Sequence, residues 1–479
     1  MRSMLLAASA LALAACTTAP ATTGSVAASR DPAAGEAEFR GLYKELIETN
    51  TSFSVGSCTL AAERMKARLV AAGYPESDLH ILAKPNLNRP QDGNLVAILP
   101  GTDPAQKAIL LMAHIDVVEA KREDWVRDPF VLTEEGGYFY ARGASDDKAM
   151  AAIFTDSMVR FKKEGYKPAR TIKMMLNCGE EGDGEFVGAE YMADNHRDLI
   201  DAAFALNEGA GGFIDGASGK YIFNGVQAGE KLYQDYTIEV TNPGGHSSRP
   251  VPDNAIYELG AALMKVQSLE FPIEFNDATT GFFRRMGAIT PGQLGQDMRD
   301  AADGENAAAI RRLMADPGRN ALFHTTCVAT MLTAGHAPNA LPQRATANVN
   351  CRIFPGHTQE EIQQKLQAAI GDEKVKVTLK NPPEKPGAPP RITPEILGPI
   401  EKLTEQMWPG LPVIPAMATG ATDGRFLTPV GIPTYGVSGI FADPSTTNAH
   451  GLNERVGVKQ LMEGRIFLYQ LVKMYAGGE

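Results

Sequence analysis

The chain has 479 residues, more than one hydrophobic core usually organises, so two or three domains are expected. Its 44% apolar and 22% charged residues describe a globular protein and exclude a fibrous or disordered one. A formal net charge of −11 argues against nucleic acid or an anionic membrane surface as a partner through bulk electrostatics, while leaving room for a local basic pocket.

Arg2 followed by the apolar residues 4–15 has the charge and length of a signal peptide, and the run is too short to span a bilayer. It ends in Leu13-Ala14-Ala15-Cys16, which resembles the lipobox of bacterial lipoproteins. That resemblance implies removal of residues 1–15 and a lipid anchor to the membrane on Cys16. Plain secretion with cleavage nearby is the alternative. Either way the protein leaves the cytoplasm, as a periplasm-facing lipoprotein of the cell envelope or a secreted chain. Thr17, standing where an aspartate would retain the chain, favours outer-membrane sorting in a Gram-negative host. Residues 16–34, rich in Ala, Thr, Ser and Pro, read as a flexible tether.

Residues 95–99 and 109–113 read as buried strands, and 147–163 as a helix with Met150, Phe154, Met158 and Phe161 on one face. Strand 172–176, helix 185–195 and strand 203–206 follow. This is the βαβα signature of an α/β sheet with helices on both faces. Near residues 227–230 the character changes. An alternating strand 236–241, a glycine loop, helix 254–267, alternating segments 327–333 and 345–353, helix 359–370 and strand 375–379 predict a smaller α+β domain over 230–381, with one solvated sheet face. Residues 381–390 hold five prolines and read as the linker back. The larger domain is therefore expected in two parts, 35–229 and 382–479. Residues 276–320, polar and rich in Gly and Ala, look like an insertion in the smaller domain.

Besides Cys16 there are Cys58, Cys178, Cys327 and Cys351, none with the close spacing of a zinc-binding pair. Cys351 shares a strand face with Ala345, Ala347 and Val349 and reads as a small core residue. A disulfide is permitted by the compartment but not indicated by the pattern.

The chemistry gathers where strands end. His114 and Asp116, in Ala113-His114-Ile115-Asp116, are two apart on one side of a strand, and a zinc-binding histidine needs an acceptor on its other nitrogen. Asp146 and Asp147 open a helix after the turn Arg142-Gly143-Ala144-Ser145. Glu180 and Glu181 sit among glycines after strand 172–176, Glu208 closes the next strand, and His450 lies in Asn448-Ala449-His450-Gly451-Leu452-Asn453-Glu454. Singly these are a core histidine, a helix cap and solvated loop acids. Together they converge on the sheet edge where ligands bind in open α/β folds.

In order, spacing and flanking residues these motifs resemble the M-twenty metallopeptidase family, which includes aminoacylase, glutamate carboxypeptidase, acetylornithine deacetylase, carnosinase and carboxypeptidase S. The resemblance implies a zinc-exopeptidase-like catalytic domain, a mixed sheet with helices on both faces, and an inserted α+β lid or dimerisation domain. It implies two zinc ions, with cobalt or manganese as substitutes: one held by His114, Asp146 and Glu208, the other by Asp146, Glu181 and His450. Glu180 would be the general base and Asp116 the residue orienting His114. Asn242-Pro243-Gly244-Gly245-His246-Ser247-Ser248 supplies His246 to stabilise an oxyanion, often in a neighbouring subunit, so a homodimer through the inserted domain is expected unless the insertion at 276–320 takes the partner's place. Asn339 and Arg352 match substrate-contacting positions, Arg352 gripping a carboxylate. Gly420, in Thr419-Gly420-Ala421-Thr422-Asp423-Gly424-Arg425, would offer a backbone contact. Two departures, Ala149 for a common glycine and Gly179 for a common acid, fall on no ligand.

The implied reaction is hydrolysis of an amide or peptide bond beside a free carboxylate, on a small peptide or an N-acyl amino acid. A carboxypeptidase is placed first, because a periplasmic enzyme meets peptides, and an aminoacylase second. Dipeptidase action on a free amine follows. A catalytically silent peptide-binding lipoprotein is the reading from another class, and retention of Glu180 and every ligand weighs against it.

Overall fold

The computed structural model describes residues 31–84, 89, 91–182 and 186–478. The signal-peptide and lipobox reading, Cys16 included, lies outside the described residues, as does Glu185 at the start of the expected helix 185–195. Among the described residues no helix is long and apolar enough to cross a membrane.

A ten-stranded mixed sheet builds the larger domain, in the order Leu79–Leu82, Asn94–Leu99, Ile172–Asn177, Ile109–His114, Phe204–Asn207, Thr434–Gly436, Tyr221–Glu230, Gly212–Ile214, Phe441–Ala442. Val413–Ala418 pairs with Tyr221–Glu230 off this path. The middle is parallel: Ile109–His114 runs beside Ile172–Asn177, with His114 opposite Asn177, and beside Phe204–Asn207. Alternation divides the central strand between two cores. Ile109, Leu111 and Ala113 face a cluster with Phe154, Phe161 and Phe467, whereas Leu110 and Met112 face Ala189, Met192 and Leu427. Burial on both faces is why residues 109–113 are continuously apolar. The helix Lys148–Lys163 follows Asp147 and buries Met150, Phe154, Met158 and Phe161. The last helix, Val458–Ala476, is locked to it where Arg465 Nε donates to Asp156 Oδ2 at 2.7 Å.

The smaller sheet is antiparallel, ordered Thr326–Ala334, Arg344–Ile353, Leu232–Thr241, Lys376–Leu379. One face carries Tyr236, Ile238, Val240, Ala345, Ala347 and Val349 into a core under the helices Ala255–Gln267 and Gln359–Ile370. The other face is polar, with Asn348 and Asn350 each donating to Asp235 Oδ1 at 3.0 and 2.9 Å. Thr326–Ala334 is an edge strand with a register shift between Ala329 and Met331.

Two findings go beyond what the sequence implies. Both cysteine pairs are joined, Cys58 to Cys178 and Cys327 to Cys351. Cys351 is the buried core residue expected, and it is also the ladder partner of Cys327. The segment 276–320 folds into helices with their own core of Phe283, Met298, Ile310, Leu313 and Phe323. Its place in the chain suggests the smaller domain, but it packs on the larger one. Arg285 Nη1 donates to Glu401 Oε1 at 2.7 Å and to the Val413 carbonyl at 2.9 Å. Gly281 lies so close that an added Cβ would stand 3.0 Å from Pro415. The apolar stripe of the helix Asp277–Ile289 found its partner on the sheet edge at Val413–Ala418, where a flat surface was available.

Candidate metal centre

Parallel strands present their C-terminal ends at one edge, and three of them deliver the expected groups there. His114 ends its own strand, Glu180 and Glu181 follow Ile172–Asn177, and Glu208 follows Phe204–Asn207. His114 Nδ1 lies 3.1 Å from the carbonyl oxygen of Asp116. A carbonyl only accepts, so Nδ1 carries a proton and Nε2 is the nitrogen turned toward the carboxylate cluster. The Asp116 side chain adds to this, because its carboxylate sits 3.6 Å from Nδ1 and accepts the backbone N–H of Glu180 at 3.3 Å and of Glu181 at 2.9 Å. One side chain therefore positions both the histidine and the glutamate loop.

Asp146 stands between the two imidazoles. Its Oδ1 is 3.1 Å from His114 Nε2, and its Oδ2 is 3.2 Å from His450 Nε2. Glu208 lies on the His114 side at 3.8 Å, and Glu181 on the His450 side at 2.6 Å. Donor atoms of His114, Asp146 and Glu181 fall within 4.8 Å of one another, as do those of His114, Glu180 and Glu208. Two ligands at about 2.1 Å from one tetrahedral ion are roughly 3.4 Å apart, so these spacings fit divalent cations, and the two-sided Asp146 fits a pair sharing one carboxylate. Electrostatics agree. Burial, joined by the charges of Asp147, Asp146 and Glu180, drives the Glu208 carboxyl well above its usual range, and burial with the Glu181 and Asp116 charges raises Glu180. Hydrogen bonds donated to Asp146 and Glu181 pull the His450 imidazole up to about 10. A cluster so short of positive charge is one that metal ions relieve.

Behind the centre lies a group that the sequence motifs alone do not single out. Glu454, 1% exposed in its side chain, accepts from Arg142 Nη1 at 2.7 Å. It also accepts the backbone N–H groups of Gly143, Ser145 and Asp146 at 3.0, 2.8 and 3.1 Å. Arg142 Nη2 reaches the Gly451 carbonyl at 3.0 Å, so the pair ties the Asp146 turn to the His450 loop. Each lies four residues from its ligand within the same motif, and that symmetry was the available signal. The glycine-rich loop docks through side chains, Asn177 donating to Asp423 and Asn207 to Thr422 Oγ1 at 3.2 Å. Gly420 itself is exposed with open space around it.

The remaining candidates lie on the smaller domain. His246 sits exposed on a two-stranded ribbon opposite Ala340, its Nδ1 engaged by Ser248, while the Asn339 carbonyl accepts the Ser247 N–H. Neither makes a hydrogen bond or ion pair to the carboxylate cluster among the described residues. Arg352 lies on the polar face over the ring of Tyr233, 4.6 Å from its centroid.

Carboxylates gathered between two imidazoles at the strand ends of such a sheet are the donor set expected of a metal-dependent hydrolase of amide and peptide bonds. The chain belongs to peptidase family M20/M25/M40, whose profile matches residues 110–474. It is similar to the N-fatty-acyl-amino acid synthase/hydrolase PM20D1 of Xenopus tropicalis, 29% identical over 379 residues, 78% of this chain and 73% of that one. It is similar to aminoacylase-1B of Rattus norvegicus, 26% identical over 402 residues, 80% of this chain and 84% of the relative. In fold it matches the metallo-carboxypeptidase Sso-CP2 of Sulfolobus solfataricus, with a TM-score of 0.67 at 17% identity, covering 92% of this chain and 99% of that one.

Proposed function

We propose that the protein is an exported di-zinc hydrolase that cleaves the amide bond of N-acyl amino acids, releasing the free amino acid. The observation that carries this reading is a pair of unlike cavities meeting at Glu208. One, of about 480 Å³, is lined by Gln227, Glu230, Thr422 and Arg425. Arg425 is near enough to Arg352 for the two charges to repel, and burial together with Arg352 pushes Lys231 down to about 8. Arg425 lines this cavity, 3.7 Å from Glu384, and a guanidinium there suits the α-carboxylate of a substrate. The other cavity has Asp146, Asp147 and Glu208 at its inner end and Phe213, Phe223, Ile414, Ala416 and Ile440 among its outer walls, which suit an acyl group better than a charged peptide. This moves the aminoacylase reading ahead of the carboxypeptidase one.

His114, Asp146 and Glu208 would hold one zinc, and Asp146, Glu181 and His450 the other. When bound, such a pair makes a water acidic near neutral pH and polarises the acyl carbonyl. Glu180 takes the proton as the water oxygen bonds to the acyl carbon. It returns the proton to the nitrogen as the C–N bond breaks, leaving a fatty or other carboxylic acid and the amine. Arg352, with Asn339 and Gly420 beside the substrate, fixes the carboxylate end. Relatives named for N-fatty-acyl-amino acid and aminoacylase activity support this choice. The test is a panel of N-acyl amino acids, N-blocked dipeptides and free dipeptides given to chelator-stripped protein before and after zinc, cobalt or manganese. Release of amino acid from the N-acyl substrates upon zinc addition is expected. Cleavage confined to dipeptides would overturn the substrate assignment.

His246 completes the oxyanion site in a homodimer, from the partner subunit. Exposed Val328, Met331 and Leu332 on the edge strand and Tyr257 and Met264 on the adjacent helix support that association, since bare apolar edges seek a partner. Two disulfides suit an oxidising compartment and support export with a lipid anchor at Cys16. One preparation tests both: a Cys16→Ala chain is expected in the soluble fraction, sedimenting at twice the chain mass. Retention in the membrane would refute the anchor, and a monomer mass the dimer.

A further inference from the structure

A third cavity, of about 640 Å³ including its open mouth, is lined by none of the candidate metal ligands. It lies where the strand Arg455–Gly457 pairs with Tyr138–Tyr140 and the turn after Gly212–Ile214 closes over Asp443. Tyr138, Ile214 and Phe441 give it apolar walls. A side chain at 216 would run into Asp443 Oδ2, so Gly216 keeps room for that oxygen. Two opposite charges line this space without meeting. Arg455 spends part of its guanidinium on structure: Nε donates to the Thr446 carbonyl at 2.8 Å and Nη1 to the Tyr140 hydroxyl at 3.3 Å, with the group 4.2 Å from the centroid of the Tyr138 ring. Among the described residues Nη2 makes no hydrogen bond and Arg455 has no acidic partner. Asp443 Oδ1 accepts from the Ser445 N–H and hydroxyl at 2.9 and 2.7 Å. Its Oδ2 accepts nothing, and Asp443 has no basic partner, among the described residues.

We infer that this cavity is a second binding site, for a free α-amino acid, with the carboxylate on Arg455, the ammonium on Asp443 and an apolar side chain against Tyr138, Ile214 and Phe441. Nothing in this depends on the N-acyl-amino-acid reading, because the charges and walls of the cavity name the ligand. A guanidinium steadied by an aromatic ring and two hydrogen bonds presents its remaining edge in a fixed direction, as carboxylate recognition requires. A lone anion in this space would also meet Asp443, and a lone cation would also meet Arg455. Each singly charged ligand is therefore opposed by one of the two groups, and a ligand carrying both charges on one carbon is opposed by neither. Size agrees, since small-molecule sites typically span about 300–1,000 Å³.

The test is calorimetric titration of the zinc-loaded, full-length protein with L-phenylalanine, repeated after the metals are stripped with a chelator. Two further probes carry one charge each, 3-phenylpropanoate and 2-phenylethylamine. A binding event that survives removal of the metals is expected, stronger for L-phenylalanine than for either probe by about tenfold or more. Arg455→Gln and Asp443→Asn are each expected to weaken that event by about tenfold or more. Asp443→Asn retains an acceptor for the Ser445 turn, and it keeps the inference open to refutation should Arg455→Gln loosen the loop that its side chain closes. Binding no tighter for the amino acid than for the singly charged probes would overturn the site, as would binding unchanged in folded Asp443→Asn. An event lost together with the metals would place the amino acid in the metal cleft and overturn the second site as well.

Discussion

Glu180→Gln is expected to lower kcat by about 10²- to 10⁴-fold with two metal ions still bound. The neighbouring glutamates look alike in sequence, and geometry separates them. Glu181 reaches His450 at 2.6 Å, whereas the carboxylate of Glu180 gathers with His114 and Glu208. Burial and the adjacent carboxylates raise its proton affinity, as a group that must accept a proton and give it back requires. An amide of the same shape cannot do either. Metal analysis beside the rate decides the assignment: a loss of metal in Glu180→Gln would make this residue a ligand instead of the base.

Glu454→Gln is expected to cost about 3–5 kcal/mol of stability and to weaken metal binding by about 10- to 100-fold. The substitution keeps the shape but strips the charge opposite Arg142, whose side chain is 3% exposed, and leaves four donors competing for one neutral oxygen. The Asp146 turn and the His450 loop then lose their shared anchor. A double variant, Arg142→Met with Glu454→Gln, separates the two effects. Without an unpaired buried cation it regains part of the stability, but not the metal affinity, because nothing holds the loops together. Chemical denaturation and zinc titration read the two quantities independently. Equal recovery of both in the double variant would show that Glu454 only stabilises the fold.

The central strands and the clustering of candidate residues at their ends were legible in the sequence because one physical pattern marks both. A strand buried on two faces must be apolar, and the abrupt polar residues at its end, His114, Glu180 and Glu208, stand out by contrast. The smaller sheet was legible through alternation at 236–241 and 345–353. What escaped depends on contacts between distant residues. Cys58 and Cys178 are 120 residues apart, and nothing local to either announces the other. Arg142 and Glu454 lie farther apart still and read as ordinary motif flanks. The insertion was visible as a departure from expected length, but its docking on the larger domain depends on the shape of the sheet edge at Val413–Ala418, which composition does not encode. Asp116 was read as orienting His114; that the same carboxylate also caps the Glu180–Glu181 loop needed coordinates.

The order in which the chain is made bears on all of this. The central strand Thr434–Gly436, the second imidazole at His450, the counter-charge for Arg142 and the closing helix Val458–Ala476 all arrive at the end of synthesis. A chain shortened before His450 lacks one imidazole, the counter-charge of Arg142 and the closing helix, and is expected to be inactive rather than slow.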